Sequence, residues 1–235
     1  MAITELRPSL YRLTVGFWQL YLWRDADGVT LIDAGAPGCA EAIAADLATL
    51  GIGRSDVDRI VLTHFHPDHV GSAADIAEWG SVEILANVAD APIIRGDQPG
   101  PAPRMRSEAE QALHARITAA GPPVALPCRV DRELRDGDQL DIAGSATAIA
   151  VPGHTEGSIG LYLSGPRVLF TGDTIAEQGG EVMLGPFNLD TDRAIAGFRI
   201  LAELDADTAC FGHGQPVVGN AHAVLAAAAV NPTVL

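Results

Sequence analysis

The sequence predicts an α/β fold in which two β-sheets stack face to face and carry helices on their outer sides. Short segments rich in Val, Ile, Leu and aromatic residues are bounded by glycine-containing turns, which is typical of strands. These strands alternate with helical segments, and a similar order of elements occurs twice along the 235 residues. No run of about 18 or more apolar residues occurs, so no transmembrane helix is expected.

The first half of the chain accounts for one of the two predicted sheets. Its first helix is indicated by Ile43, Leu47 and Leu50, which share one face, and by Gly51, which ends it. The predicted strands are 9–15, 18–25, 28–35, 58–63 and 81–87, and the predicted helices are 39–52 and 72–80.

The segment 88–128 interrupts this alternation of strands and helices. Residues 91–106 are rich in proline and glycine, which predicts a surface loop. A helix is expected from Ser107, which is a suitable N-cap, with Glu110 completing a capping box. Two interpretations stay open: a lid over a binding site, or a peripheral helix. We predict one domain over 1–235 that contains this insertion.

The second half repeats the strand pattern. Tight turns containing glycine connect its first strands, as in a meander. The predicted strands are 138–144, 146–153, 158–165, 167–173 and 208–212, and the predicted helices are 191–204 and a last one from about 220.

Composition limits the partners and the compartment. The formal net charge is −15 with a pI near 4.6, which argues against nucleic acid as a partner. Cys39, Cys128 and Cys210 are few and far apart, which favours a reducing cytoplasm over a disulfide framework. The charged N-terminal segment does not resemble a signal peptide. We expect a cytoplasmic protein that acts on a small molecule, without nucleic acid or membrane partners; a homodimer is left open.

Three histidines and an aspartate lie within six consecutive positions after the strand 58–63. His64 and His66 are two residues apart in an extended segment, so both imidazoles can reach one metal ion. Pro67 ends the strand, and Asp68 and His69 can face a neighbouring ion. A buried structural histidine is common, but that interpretation does not explain four such residues together. The pattern predicts a metal site.

Further ligands are expected at the ends of other strands, because four clustered side chains are too few for two open sites. Three candidates each follow a predicted strand, in a loop that contains glycine. They are His154, Asp173 and His213. His114 and His222 lie within predicted helices, and we do not expect them to be ligands.

The motifs around His64–His69, His154, Asp173 and His213, with the early segment 31–35, resemble those of the metallo-β-lactamase fold superfamily over essentially the whole chain. The resemblance implies a four-layer αββα sandwich of two mixed β-sheets with helices on the outer faces. It also implies two divalent metal ions at one edge, between the sheets. Zinc is the expected metal, with iron or manganese as alternatives.

The resemblance also implies a division of the ligands. His64, His66 and His154 would hold one ion, and Asp68, His69 and His213 the other. Asp173 would bridge the two ions together with a water or hydroxide. Asp68 would in addition be catalytic, by orienting the nucleophile and passing its proton to the leaving group. Asp33 would support the histidine loop.

The expected function is that of a dinuclear zinc-dependent hydrolase, in which the metal-bridging hydroxide attacks an ester, lactone or thioester carbonyl. Zinc β-lactamases of the superfamily usually carry Cys or Ser where this chain has Asp173. The segment 174–188 lacks the Gly-Cys-Gly-Arg run of the glyoxalase II type. It also lacks the tyrosine that acyl-homoserine lactonases often place there.

Several alternatives remain open at this stage. They are a mononuclear iron dioxygenase of the persulfide type, a phosphodiesterase, a β-lactam hydrolase, and a metal-binding protein without turnover. The complete second ligand set argues against the dioxygenase and against the protein without turnover. Apolar residues near the motifs are the candidates for substrate-pocket walls. They are Phe17, Trp18, Met183, Leu184 and Phe187.

Overall fold

Seven strands from the first half of the chain form one sheet in the computed structural model, which describes residues 2–15, 18–26, 28–119 and 123–234. The first four strands pair antiparallel, and the fourth to seventh pair parallel, so the sheet is mixed. In sheet order the strands are β1 (Ala2–Arg7), β2 (Leu10–Val15), β3 (Trp18–Arg24), β4 (Val29–Ile32), β5 (Val57–Leu62), β6 (Glu83–Asn87) and β7 (Arg132–Leu134).

The second sheet comes from the second half of the chain. Its strands are β8 (Gln139–Leu140), β9 (Ala146–Ala150), β10 (Ile159–Leu163), β11 (Val168–Phe170), β14 (Thr208–Cys210) and β15 (Val217–Val218). Their order is β15-β14-β11-β10-β9-β8, with β11 and β14 parallel. A separate hairpin joins β12 (Ile175–Gln178) to β13 (Glu181–Leu184).

Helices cover the outer faces of both sheets. Ile43, Leu47 and Ile76 bury helices of the first half against the outer face of the first sheet. Phe198 and Leu225 do the same for the last two helices against the second sheet. The helices are α1 (Ala40–Thr49), α2 (Pro67–Val70), α3 (Ala73–Ala77), α4 (Ala91–Ile94), α5 (Glu108–Ile117), α6 (Thr191–Ala202) and α7 (Ala221–Val230).

The inner faces of the two sheets pack on each other. Leu20 and Leu22 of β3 point to the outer core, and Tyr21 points to the inner one, because successive side chains of a strand alternate in direction. The rings of Tyr21 and Phe170 lie 5.5 Å apart across the inner core. The predicted fold, two mixed sheets between helical layers, is confirmed.

Several elements were not predicted from the sequence. β1, β7, β15 and the hairpin β12–β13 are short or partly exposed, so their apolar periodicity is weak. α4 lies within the segment expected to be a loop; a proline occupies its first turn, where proline is compatible with a helix. Within the described part of the chain, no helix is long and apolar enough to span a membrane.

The predicted N-cap of α5 is confirmed. The Ser107 hydroxyl accepts a hydrogen bond from the Glu110 N–H at 3.0 Å. Glu110 is buried, and one oxygen of its carboxylate accepts a hydrogen bond from the Arg106 N–H at 2.6 Å. Its other oxygen accepts from the Phe187 N–H at 3.1 Å. The insertion is therefore joined to the loop that follows β13.

Candidate metal centre

Four loops bring seven histidine and aspartate side chains together at one edge of the two sheets. The loop after β5 supplies four of them, and Pro67 starts α2 directly behind the second histidine. The other three loops follow β9, β11 and β14 of the second sheet. The residues are His64, His66, Asp68, His69, His154, Asp173 and His213.

Three imidazoles form the first cluster. The His66 Nδ1 atom lies 3.1 Å from His64 Nε2 and 2.9 Å from His154 Nε2. Two nitrogens bound to one tetrahedral zinc at about 2.0–2.1 Å are roughly 3.3 Å apart, so this spacing is close to that of a zinc ligand set. His64 and His154 are buried, and each is 1% exposed. The structure thus brings together the three residues expected to share one ion.

Asp68, His69 and His213 form the second cluster, and Asp173 lies between the two clusters. The His213 Nε2 atom is 3.3 Å from Asp68 Oδ2 and 3.2 Å from Asp173 Oδ2. Asp173 Oδ1 lies 3.2 Å from His69 Nε2, and Asp173 Oδ2 lies 3.8 Å from His154 Nε2. One carboxylate therefore reaches histidines of both clusters.

The donor set fits metal ions. In each of three groups of side chains, the ligand atoms lie within 4.8 Å of one another. The groups are His64, His66 and His154; His64, His69 and Asp173; and Asp68, His69 and His213. Among the described residues, the buried His69 Nε2 and Asp173 Oδ1 atoms lie 3.2 Å apart but make no well-aligned hydrogen bond, to each other or to another group. Buried polar atoms are normally satisfied, and a cation between these atoms would satisfy both.

The first cluster holds its histidines neutral. Burial lowers the pKa of His64, and the neighbouring His69 and His66 lower it further. Burial and His154 lower the pKa of His66 to about 3. The pKa of His154 is also lowered, mainly by burial. Neutral imidazoles are the form that binds metal, so this cluster is ready to bind an ion at neutral pH.

The second cluster has the opposite electrostatics. Burial lowers the pKa of His213, but Asp173 and Asp68 outweigh it and raise the pKa to about 10. Burial also lowers the pKa of His69, but nearby carboxylates, above all that of Asp173, outweigh it and raise this pKa well above its usual value. Burial raises the pKa of Asp68, but His69 and His213 lower it to about 2. Without metal, these two histidines carry protons that compensate the carboxylates.

Asp33 holds the histidine loop from the end of β4. Its Oδ2 atom lies 2.8 Å from His69 Nδ1, which leaves His69 Nε2 turned toward the centre. Its Oδ1 atom accepts from the Thr63 N–H at 2.8 Å, and the Thr63 hydroxyl also donates to it. Such contacts fix the ring orientation of a ligand. The backbone of Asp33 has a positive φ of 66°.

The His213 loop is held by residues that the sequence did not reveal. Gln19 Nε2 donates to the Phe211 carbonyl at 2.9 Å and to the Gly214 carbonyl at 2.6 Å. The Tyr21 hydroxyl donates to the Phe211 carbonyl at 2.8 Å. Both side chains belong to β3, so the first sheet positions a loop of the second. In the sequence, the one sign of this contact is a glutamine within an otherwise apolar strand.

Gly212 allows the loop to approach the centre closely. A Cβ atom at this position would lie 2.0 Å from Asp173 Oδ1 and 2.7 Å from His69 Cε1. Any side chain there would displace two members of the centre.

The centre opens to solvent on one side. The Asp68 and His213 side chains are 22% and 29% exposed, whereas His69 and Asp173 are almost completely buried. A substrate can therefore approach from the side of Asp68 and His213.

The candidate pocket residues lie in different places. Phe17 lies outside the described residues. Trp18 is partly buried against the outer core of the first sheet. Leu184 has no exposed surface and packs with α6 and α7. Met183, beside it, is 6% exposed. Phe187 is half-buried and its ring lies 5.8 Å from that of His114.

The two histidines that we did not expect to be ligands lie outside the clusters. His114 contacts the ring of Phe187, and His222 Nδ1 lies 2.9 Å from the Leu204 carbonyl. Neither belongs to a group of side chains spaced to hold a metal ion among the described residues.

A family model described as "Metallo-beta-lactamase superfamily" matches residues 17–213, which is most of the chain and includes all seven residues of the centre. The chain belongs to the metallo-β-lactamase superfamily.

Several proteins that are similar to this chain are named as hydrolases. The probable metallo-hydrolase YflN of Bacillus subtilis (strain 168) is 28% identical over 233 residues, which cover 92% of this chain and 87% of that protein. A hydroxyacylglutathione hydrolase of Yersinia pestis (strain Pestoides F) is 33% identical over 187 residues, which cover 77% of this chain and 58% of that protein. Together they support a metal-dependent hydrolase.

Solved structures of the superfamily share the fold. A metallo-beta-lactamase family protein from Thermus thermophilus superposes with a TM-score of 0.70 at 25% identity, over 96% of this chain and 80% of that chain. The metallo-beta-lactamase SMB-1 superposes with a TM-score of 0.71 at 19% identity, over 97% of this chain and 93% of that chain. The second likeness concerns the fold alone.

Proposed function

We propose that this protein is a dinuclear zinc hydrolase that cleaves an ester, lactone or thioester of a small molecule. The observation that carries the proposal is the position of Asp173 between the two clusters, within 3.8 Å of histidine nitrogens in both. A carboxylate shared by two ligand sets is suited to two neighbouring ions rather than one.

His64, His66 and His154 would hold one ion, and Asp68, His69 and His213 the other, with Asp173 between them. When bound, the two ions supply a nucleophile at neutral pH and Lewis acidity toward a carbonyl oxygen. The buried side of the centre excludes water, which strengthens the electrostatic interactions there.

Asp68 is the proton carrier in this proposal. Its side chain is partly exposed and faces the open side of the centre, where a leaving group would depart. Its pKa is lowered to about 2, so the carboxylate is ionised and can accept a proton at neutral pH. The same charge orients the nucleophile.

Two considerations favour an activated carbonyl as the substrate class. A relative that is 33% identical is named hydroxyacylglutathione hydrolase, and such substrates are thioesters. The loop after β13 places the half-buried Phe187 two residues before Leu189, whose N–H donates to the His154 carbonyl. An aromatic ring in a loop that is hydrogen-bonded to the His154 loop suits an apolar acyl group.

The test combines metal analysis with a substrate screen. The purified protein is assayed with lactones, thioesters, phosphodiesters and β-lactams, and its metal content is measured per chain. We expect about two zinc ions per chain and hydrolysis of a carbonyl ester, lactone or thioester. Exclusive cleavage of phosphodiesters, or a single bound iron ion, would contradict the proposal.

A further inference from the structure

Asp90 lies at the start of α4, between the loop of His64 and His66 and the loop of His154. It stands at the N-cap position, where an aspartate usually accepts a hydrogen bond from its own helix. Here the side chain makes no such bond. Its carboxylate turns away from α4 and toward the two loops.

Both oxygens of Asp90 are used by these loops. Oδ2 accepts from the Phe65 N–H at 3.0 Å and from the Thr155 hydroxyl at 2.7 Å. Oδ1 accepts from the Gly157 N–H at 2.8 Å. Phe65 stands between the first two histidines of the cluster, and Thr155 directly follows the third. One carboxylate thus joins two segments that are about 90 residues apart in sequence.

The contact is completely enclosed. Asp90 and Thr155 have no exposed surface. A Cβ atom on Gly157 would lie 2.5 Å from the Asp90 carboxyl carbon, so the close approach requires glycine there. Among the described residues, no arginine or histidine pairs with Asp90 within ion-pair distance, and its stabilisation comes from the three donors.

We propose that Asp90 is the positioning residue of the first metal cluster: it holds the His64–His66 loop against the His154 loop so that three imidazole nitrogens face one ion. This inference rests on the proposed metal centre. Asp33 makes the comparable contact to His69 in the second cluster. Asp33 also reaches the first cluster, because the Thr63 hydroxyl that donates to it lies 3.1 Å from His64 Nδ1. Asp90 is the carboxylate that joins the His64–His66 loop to the His154 loop. Outer contacts of this kind typically change metal affinity by about 10–100-fold.

The experiment measures zinc affinity rather than turnover. The titrations use a His213→Ala background, which removes a ligand of the second cluster so that the first is observed. Zinc binding to the stripped protein is followed with a competing chromophoric chelator, and cobalt binding by its visible spectrum. Asp90→Asn keeps the size of the side chain but turns an amide N–H toward one of the donors.

Asp58→Asn is the matched control. Asp58 also accepts a backbone hydrogen bond, from the Val29 N–H at 2.9 Å, but it lies at the opposite end of β5 from the histidines. Loss of this bond should lower stability and leave the metal cluster unchanged. Thr155→Val is a second test, because it keeps the shape and removes one of the three donors to Asp90.

We expect Asp90→Asn to weaken zinc binding about 10–100-fold and to alter the cobalt spectrum, with Asp58→Asn within about threefold of the background. Unchanged affinity in Asp90→Asn, or equal losses in both variants, would overturn the inference. Should Asp90→Asn not fold, Thr155→Val decides: weaker binding supports the inference and unchanged binding overturns it. Absence of zinc binding in the unsubstituted protein would overturn the metal centre itself, and the inference with it.

Discussion

Single residues give the two clusters opposite charge states before any metal binds. Burial lowers the pKa of His64, His66 and His154, and neighbouring histidines of the centre lower these pKa values further. His69 and His213 face carboxylates that favour their protons. The histidines of the second cluster must therefore lose protons before an ion can bind, whereas those of the first cluster need not.

This difference predicts proton release on metal binding. The pKa of His213 is raised to about 10, so at pH 7.5 it is protonated without metal and must lose the proton to coordinate. His69 behaves in the same way. Calorimetry in buffers of different ionisation enthalpy should show about two protons released by the second ion and about none by the first. Equal release for both ions would contradict this charge assignment.

The sign of the pH dependence follows from the same shifts. The raised pKa values of His69 and His213 stabilise the metal-free protein fully below pH 6.5. The contribution of His213 is lost as pH rises through about 10, and that of His69 is lost as pH rises through its own raised pKa. Proton competition at the second cluster weakens over the same range, so its zinc affinity should rise with pH.

Asp68→Asn tests the proton carrier. The substitution keeps the shape and one ligand oxygen but removes the charge and the proton acceptor. We expect kcat to fall by about 10²–10⁴-fold, the usual contribution of a general base, with KM changing much less. The assay needs excess zinc, because Asp68 also belongs to the second cluster. A variant that binds both ions and keeps kcat within about threefold would leave Asp68 as a ligand only.

Among the secondary-structure elements, α5 is joined to the loop after β13 by the buried carboxylate of Glu110, which accepts a hydrogen bond from that loop. Glu110→Ala would leave the Phe187 and Arg106 N–H groups without this acceptor, at a cost of about 1–3 kcal/mol of stability. Because the loop that carries Phe187 is hydrogen-bonded to the His154 loop through Leu189, we also expect KM to rise more than kcat falls. Hydrogen exchange at the Phe187 amide and steady-state kinetics measure the two effects.

Glu108→Ala is the control for this prediction. It lies on the same helix and is exposed, so removing it should change neither amide exchange at Phe187 nor KM. Equal effects from the two substitutions would indicate a general loss of α5 rather than loss of the contact to the loop. A lid role for 88–128 stays a prediction that these kinetics address.

The strands and loops also show which features of the structure could be predicted from the sequence. The stacked sheets followed from strands with strong apolar periodicity, and the ligand residues from loops after those strands. Asp90, Gln19 and the contact between Glu110 and the Phe187 N–H escaped prediction, because the partners are distant in sequence and an isolated acid or amide carries no pattern. The complete burial of Leu184 could not be predicted, because a pair of apolar residues beside a motif does not reveal which face it occupies.

For the whole molecule, the metal centre joins the two sheets. Four of its residues follow β5 of the first sheet, and His154, Asp173 and His213 follow strands of the second. Ions bound there, as proposed, would therefore stabilise the native arrangement of both sheets. At a free zinc concentration 100 times the dissociation constant, the gain for one site is about 2.7 kcal/mol. Thermal unfolding with chelator and after zinc is restored measures it; an unchanged midpoint would argue against ions that link the sheets.

The order of the strands has a consequence for synthesis. Each large sheet is built from a continuous stretch, since the first is complete at Leu134 and the second begins at Gln139. A nascent chain on the ribosome can thus pair the whole first sheet before the second exists. Until then, the inner face with Leu10, Tyr21 and Ile32 lacks its cover. Such apolar surface attracts chaperones and promotes aggregation, so we expect translation arrested near Leu134 to leave a chain that depends on chaperones.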